Sequence, residues 1–373
     1  MDDGVCGLLA HGVAVGTSFV LGTPYMLTSL ADLEALGVTA SATGANGLVY
    51  KTVKEFYSEA PKGSKLWLMA VEASTSLGDM VDKDKAHAPT LLSAAGGEVR
   101  CLMAKVVPGT SDTISGTVLG AAQKLQALAE EWTGSHYAPF FGLLEGLKYN
   151  GTASSLTDLK TYGYNRVGIV LGDTMASSTG AAVGLVGGRV AAVPVQRCIG
   201  RVKDGAIAAE TMYLGSVTAD LGNPAAVHDA GYICPRTFVG KAGFFWADDI
   251  LATAPADDYR TIANRRVADK AFRIAYVVLA EELLNELPVN NDGTIVSATA
   301  RSIEAAVVSA IVNSMGNSGN LGTDPNDPKD LGVQCVVNNT VNLLATSNLK
   351  VALRVKPFGY AKYIDVTVGF LVD

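Results

Sequence analysis

Charge is scarce in this 373-residue chain. Asp, Glu, Lys and Arg make up 17% of it, against about 25% in an average soluble domain. Hydrophobic residues make up 49%, and mean hydropathy is +0.26. Intrinsic disorder is excluded, because it needs low hydrophobicity and high charge. Cations are scarcer than anions: 29 Lys and Arg against 36 Asp and Glu leave a net charge of −7. With no basic run, a nucleic-acid partner is not expected. Long apolar runs are missing too. No stretch of about 18 apolar residues is free of charges or turn signals, so no membrane insertion is expected. The N-terminus, MDDGVCGLLAHGVAV, begins with acids, the reverse of a secretory signal. Cysteine is sparse and scattered. Cys6, Cys101, Cys198, Cys234 and Cys335 stand far apart in apolar surroundings without a CxxC spacing. This predicts buried free thiols in a reducing cytoplasm and no zinc site.

Catalytic signatures are equally thin. His11, His87, His136 and His228 each stand alone; no GxSxG elbow and no GxxxxGK[ST] loop occurs. What the chain has in quantity is small residues, including 40 glycines. A surface so poor in charge is expected to be covered, and self-association is the simplest cover.

The first two-thirds alternates helix and strand signals. Residues 46–59 form a helix with Val49, Val53 and Phe56 on one face, and Lys65–Val71 is a strand. Helix 88–95, strand 99–107, helix 116–132 and strand 140–144 follow, and then the continuously apolar strand Arg166–Leu171 and a small-residue helix at 178–187. Such alternation predicts an α/β fold: a mostly parallel sheet flanked by helices, built from right-handed βαβ units. The last third reads as an α+β part. It has a long helix at 262–286, a second at 295–314, a polar loop at 316–332, and strands at 333–337, 349–356 and 362–372. The last two alternate cleanly, as strands with one covered face do.

The feature nearest to an enzyme site is the turn from Asp173 to Gly188, where a buried strand runs through TMASSTG into a Gly/Ala helix. A helix start after a parallel strand is a ready anion site, which keeps open an α/β nucleotide-binding enzyme. The bland reading is that small residues let this helix pack closely. Asp248 and Asp249, like Asp257 and Asp258, read as helix caps or loop acids rather than paired catalytic carboxylates. Arg265 and Arg266 fall in the first turns of the long helix, where the helix dipole disfavours positive charge. They are expected to have specific carboxylate partners, within the chain or in a lattice.

In their order along the chain, several segments resemble the contractile tail sheath family of phages, R-type pyocins and related injection systems. Pro194–Val202 (PVQRCIGRV) resembles its Pro-x-x-R-x-x-G-R-V element, and Tyr232–Phe238 (YICPRTF) its aromatic-ARTL segment. Tyr259–Lys270 (YRTIANRRVADK) resembles the Y-x-x-I-N-x-R-R opening of a long helix. The ending LKVALRVKPFGYAKYIDVTVGF resembles the family's strand, Pro-containing turn and last strand. Gly12–Leu36 resembles its Gly-rich first strand and the x-S-x-x-D-L-E segment after it. Two departures mark a divergent member. The first strand begins within about 12 residues of Met1, so the family's N-terminal arm is very short or lies outside this chain. The F-E-x-N that often follows the long helix is only loosely echoed by ELPVN, residues 286–290.

The resemblance implies a structural subunit, not an enzyme, without cofactor or metal. It would polymerise helically around an inner tail tube, meet baseplate and terminator proteins, and belong to a phage tail or injection particle assembled in the bacterial cytoplasm. A tail terminator or baseplate adaptor is the alternative within that class. It also implies an inner core of residues 1–75 with 245–345, an outer domain inserted at 76–244, and a C-terminal arm at 346–373. Ile364, Val366, Val368 and Phe370 would then form a strand donated to a neighbour, and the 295–314 helix, with Arg301 and Glu304, would face the tube.

Overall fold

The structure is a computed structural model and describes residues 2–364 and Thr367. Its contacts separate two units, 1–276 and 277–373.

The first unit is built on a six-stranded sheet. The strands are β1 (Cys6–His11), β2 (Pro24–Leu27), β3 (Leu66–Val71), β4 (Cys101–Lys105), β5 (Phe141–Glu145) and β6 (Val167–Val170), in the order β2-β3-β1-β4-β5-β6. All pairs are parallel except β2 with β3. β2 is an edge strand that opens with Pro24, where the missing N–H disrupts no ladder. The helices are α1 (Leu30–Ala35), α2 (Gly44–Glu59), α3 (His87–Ala94), α4 (Leu119–Ser135), α5 (Val183–Ala192) and α6 (Ile262–Ala280). Gly7 and Gly142 leave room on one face of the sheet for Leu91 of α3 and Leu125 of α4. On the other face α5 lies over Met103 of β4 through Gly187. Gly184 and Gly188 bring α5 onto the backbone of α2, where an added Cβ would meet Thr52 O or Phe56 O at 2.3 Å. Every residue of β1, β4, β5 and β6 is buried, as expected of parallel strands covered on both faces.

The second unit holds α7 (Ser297–Ile311), continued by a π-helical turn at Val312–Gly316, and an antiparallel pair, β7 (Val333–Val337) with β8 (Val351–Val355). Ile295, Ala300, Ile303 and Val337 form its small core, with Leu279, Leu287, Leu349 and Val351 against them.

The predicted fold class is the observed one. Several details differ. The first strand is Cys6–His11, earlier than the Gly-rich segment from Gly12. The small-residue helix starts at Val183 rather than 178, because residues 178–182 form a turn whose polar groups point back at the sheet. The long helix ends at Ala280 rather than 286. Glu281 and Glu282 come next, acids that the C-terminal end of a helix dipole disfavours, and Leu284 already has φ 60°. The expected inner core of 1–75 with 245–345 and the inserted 76–244 would share this sheet. β1 pairs on one side with β3 and on the other with β4, so a boundary near residue 75 would cut the sheet through its centre. The contacts separate after Tyr276.

Candidate functional site

In a sheet of this kind ligands usually bind beyond the carboxyl ends of the strands, where the chain order switches direction. Here that point lies between β1 and β4, and it is closed. His11, the last residue of β1, lies 2.8 Å through Nε2 from Thr75 O, and its Nδ1 accepts from Val107 N at 3.0 Å. These bonds fix a neutral ring, and burial lowers its basicity further, against the opposing effect of the Thr75 contact.

Beside it stands a buried ion pair. Lys105 ends β4 and Glu145 ends β5, and their Nζ and Oε2 are 2.5 Å apart. Glu145 is wholly buried and also accepts from Val106 N at 2.7 Å and Ala181 N at 3.0 Å. Asp173 lies beyond β6 and accepts from Lys51 Nζ at 2.5 Å, Thr174 N at 2.6 Å and Ser178 Oγ at 2.6 Å. Burial pushes the Asp173 carboxyl up, but the charges of Lys51 and Lys105 outweigh it and hold the group below its ordinary value. Glu55 shares Lys51, and there burial wins, so its carboxyl is raised. An added Cβ at Gly180 would meet Glu145 Oε2 and Lys105 Nζ within 2.6 Å. The place a phosphate would take before α5 is thus occupied by the chain's own carboxylates, which would repel one. This is internal cross-linking of strand ends.

The second polar centre lies along α6. Asp249 accepts from Ala263 N at 2.9 Å through Oδ2 and from Ile262 N at 2.7 Å through its carbonyl, so it caps the helix. Burial first, then the charge of Asp248, pushes its carboxyl up to about 7. Cys198, Asp248 and Asp249 bring three ligand-type atoms within 4.8 Å. Asp249 is committed to the cap and Cys198 Sγ donates to Asp248 at 3.8 Å, while His228 Nε2 lies 3.3 Å from Asp248 Oδ2. Arg265 finds its carboxylate one turn on, at Asp269, 2.8 Å away, and lies over the Tyr259 ring at 4.0 Å. Asp269 also receives Arg166 through two bonds of 3.0 and 3.1 Å. Arg266 has no such partner among the described residues; it donates to the carbonyls of Val193 at 3.1 Å, Asp3 at 3.3 Å and Pro194 at 3.4 Å. Lys270 and Arg273 share Asp3, at 2.6 and 2.7 Å.

In the second unit, Arg301 is exposed on α7. Glu304 is turned inward, and its Oε1 accepts from Val337 N of β7 at 2.8 Å. The two are not brought together as a pair. Ile364 is 79% exposed, whereas Val366, Val368 and Phe370 lie outside the described residues. Sequence reasoning missed the Lys105–Glu145 pair. Its signal was present: a single charged residue closes each of the apolar runs CLMAK and FGLLE.

Residues 2–249 match the N-terminal domain of the DUF2586 family, and residues 258–373 match its C-terminal domain. A comparison with curated proteins gives no match. Among solved structures, a chain of the anti-feeding prophage baseplate matches with a TM-score of 0.65 at 12% identity, over 100% of this chain and 94% of that one. A chain of the PVC sheath complex, an extracellular contractile injection system in its contracted state, matches at 0.62 and 13%, over 98% and 91%. The sheath tail protein of Listeria innocua matches at 0.53 and 12%, over 90% and 89%. The fold is therefore that of contractile sheath proteins. The chain itself belongs to the DUF2586 family.

Proposed function

We propose that this chain is the structural subunit of a contractile sheath, which polymerises helically around an inner tail tube and contracts to drive the tube through a target envelope. One observation carries the reading: the fold match spans nearly the whole of both chains, 98% and 91% for the PVC sheath complex. The filled strand ends of the first unit argue against the nucleotide-binding alternative, and we read the protein as non-enzymatic. No described helix is long and apolar enough to cross a membrane, which suits a component of a phage tail or injection particle assembled in the cytoplasm.

The second unit suits exchange of strands between neighbours. β7 and β8 pair only with each other among the described residues. A two-stranded sheet is marginal alone, and a further strand can join the edge of such a pair. The alternating residues Ile364, Val366, Val368 and Phe370 are the segment we propose for donation to such an edge. Arg301, exposed on α7, is the residue we propose to face the inner tube, while Glu304 holds β7. Baseplate and terminator proteins would bound the polymer at its ends.

The test is negative-stain microscopy of the purified protein, alone and with its tube partner. Long hollow cylinders are expected, and deletion of 360–373 is expected to leave a folded, soluble protomer that forms none. Rings of fixed size would favour a terminator or adaptor. Discrete particles stabilised by a nucleotide would overturn the proposal.

A further inference from the structure

Two exposed surfaces of the second unit carry opposite patterns. The first is the outer face of the β7–β8 pair, where Val336 stands opposite Ala352 and Gln334 opposite Arg354. Lys350 lies two residues before Ala352, on the same face. All of these are exposed, Val336 to 46%. The face thus has a small apolar centre with a cation at each end. Lys350 and Arg354 are roughly 13 Å apart, at about 3.3 Å per strand residue. Neither side chain makes a hydrogen bond or ion pair among the described residues. Lys356 is not part of that count, because Asp330 holds it at 2.6 Å and the charges of Asp324 and Asp327 act on it too.

The second surface is the turn after α6. Leu283 is 69% and Leu284 104% exposed, and Glu281 and Glu286 are exposed on either side of them. Leu284 holds φ 60°, a costly conformation for a side chain of its size. Glu282 accepts from Asn285 Nδ2 at 2.9 Å, while the carboxylates of Glu281 and Glu286 meet no partner among the described residues. No Lys or Arg stands between Arg273 and Arg301. Leu279 and Leu287 anchor the turn by packing with Ile295, Ala300, Ile303 and Val337, the small core under the covered face of the sheet. The two leucines are therefore held out in water on a strained turn between acids, as a contact surface is.

We propose that the turn at 281–286 of one copy docks on the outer β7–β8 face of a second copy. Leu283 and Leu284 cover Val336 and Ala352, while Glu281 and Glu286 meet Lys350 and Arg354. The leucines supply the burial, and the charges set register and exclude wrong pairings. The contact uses the face of the β7–β8 pair rather than its edges, so it is separate from strand exchange. It rests on the sheath reading only in requiring self-association.

The experiment reverses each surface in the full chain: Lys350→Glu with Arg354→Glu in one variant, Glu281→Lys with Glu286→Lys in the other. All four side chains are exposed, so both variants should fold, which circular dichroism checks; the single changes Arg354→Glu and Glu286→Lys serve if a double change does not. Sedimentation velocity over a concentration series reads self-association, and negative stain reads cylinders. Each variant alone should associate at least about tenfold more weakly, because like charges then face each other. An equimolar mixture should regain native strength, since every surface then finds its opposite on the other variant. Native association in either variant alone would overturn the proposal and leave the cations as a device that keeps the strand wet. A native chain that stays monomeric would overturn it too. So would a mixture as weak as its components, the result expected if the face takes the chain's own C-terminal segment or an acidic tube protein. Cylinders that persist in both variants sink this contact and not the sheath reading; association that follows the charges without cylinders does the reverse.

Discussion

The Lys105–Glu145 pair allows a sharp test of what holds the first unit together. Lys105 is 3% exposed and Glu145 0%. Lys105→Met keeps the volume of the side chain but strands a buried carboxylate. Removing one partner of a buried pair costs about 3–5 kcal/mol. At about 2–4 °C per kcal/mol for a domain approaching this size, Tm should fall by roughly 6–20 °C. The double variant Lys105→Met/Glu145→Leu is the more informative one. Replacing a simple buried pair by apolar residues is often neutral or stabilising. Here Glu145 also holds Val106 N and Ala181 N, and an orphaned buried donor costs about 1–3 kcal/mol. The double variant should therefore still lose roughly 2–6 kcal/mol. Urea unfolding read by tryptophan fluorescence is the assay. Trp67, Trp132 and Trp246 all belong to the first unit, so the signal is free of the second. A double variant as stable as the native chain would refute the view that Glu145 ties β4 to the turn before α5. A single variant losing under about 1 kcal/mol would refute the importance of the pair itself.

Other outcomes follow from the same geometry. Gly188→Ala places a Cβ 2.3 Å from Phe56 O; backbone yields poorly, so a loss of about 1–3 kcal/mol or more is expected in the same unfolding assay. Asp249 has a folded-state pKa of about 7 against an ordinary 3.8, so its folded form holds a proton that the unfolded chain releases. Its contribution is full below about pH 4 and is lost as pH rises through about 7, an interval worth roughly 4 kcal/mol. Asp249→Asn keeps a capping side chain and should flatten the fall in Tm between pH 5 and pH 8; an unchanged slope would count against the assignment.

Much of the fold was legible because parallel strands covered on both faces write themselves as unbroken apolar runs. LWLMAV, CLMAK, FGLLE and VGIV are all such runs, and all are strands. Cys6–His11 is one as well, but it is short and runs directly into the Gly-rich segment from Gly12, which blurs its end. Helix ends were harder. Residues 178–182 have helical composition, but their N–H and hydroxyl groups are drawn to Glu145 and Asp173, across more than thirty residues in the first case. No local pattern shows that competition. Strand neighbours are equally hidden from local patterns, because they are settled by pairing, and β1 pairs with β4 across about ninety residues. Of the candidate residues, Arg265 has a partner visible at i+4 spacing, whereas the carbonyls that receive Arg266 lie some seventy and more than two hundred and sixty residues away.

The low charge of the sequence acquires a sharper meaning from where the charges lie. Among the described residues, Glu55, Lys105, Glu145, Arg166, Asp173, Arg189, Asp249, Arg265, Arg266, Asp269 and Arg273 are buried. Eleven charged side chains are thus withdrawn from the surface and answered inside the chain. Buried pairs add little net stability over apolar packing, but breaking one is expensive, so they penalise any arrangement in which partners separate. Most of these groups join elements distant in sequence: Lys51 to Asp173, Lys105 to Glu145, Glu59 to Arg189, Arg166 to Asp269 and Asp3 to Arg273. A subunit with these ties resists internal rearrangement. Under the proposed sheath role, in which contacts between subunits must change, such ties would let the first unit be carried as one body. If the proposed cylinders form and contract, hydrogen exchange before and after contraction tests this directly. Amides of β1, β4 and β5 should keep equal protection in both, and loss of protection there on contraction would show that the sheet itself yields.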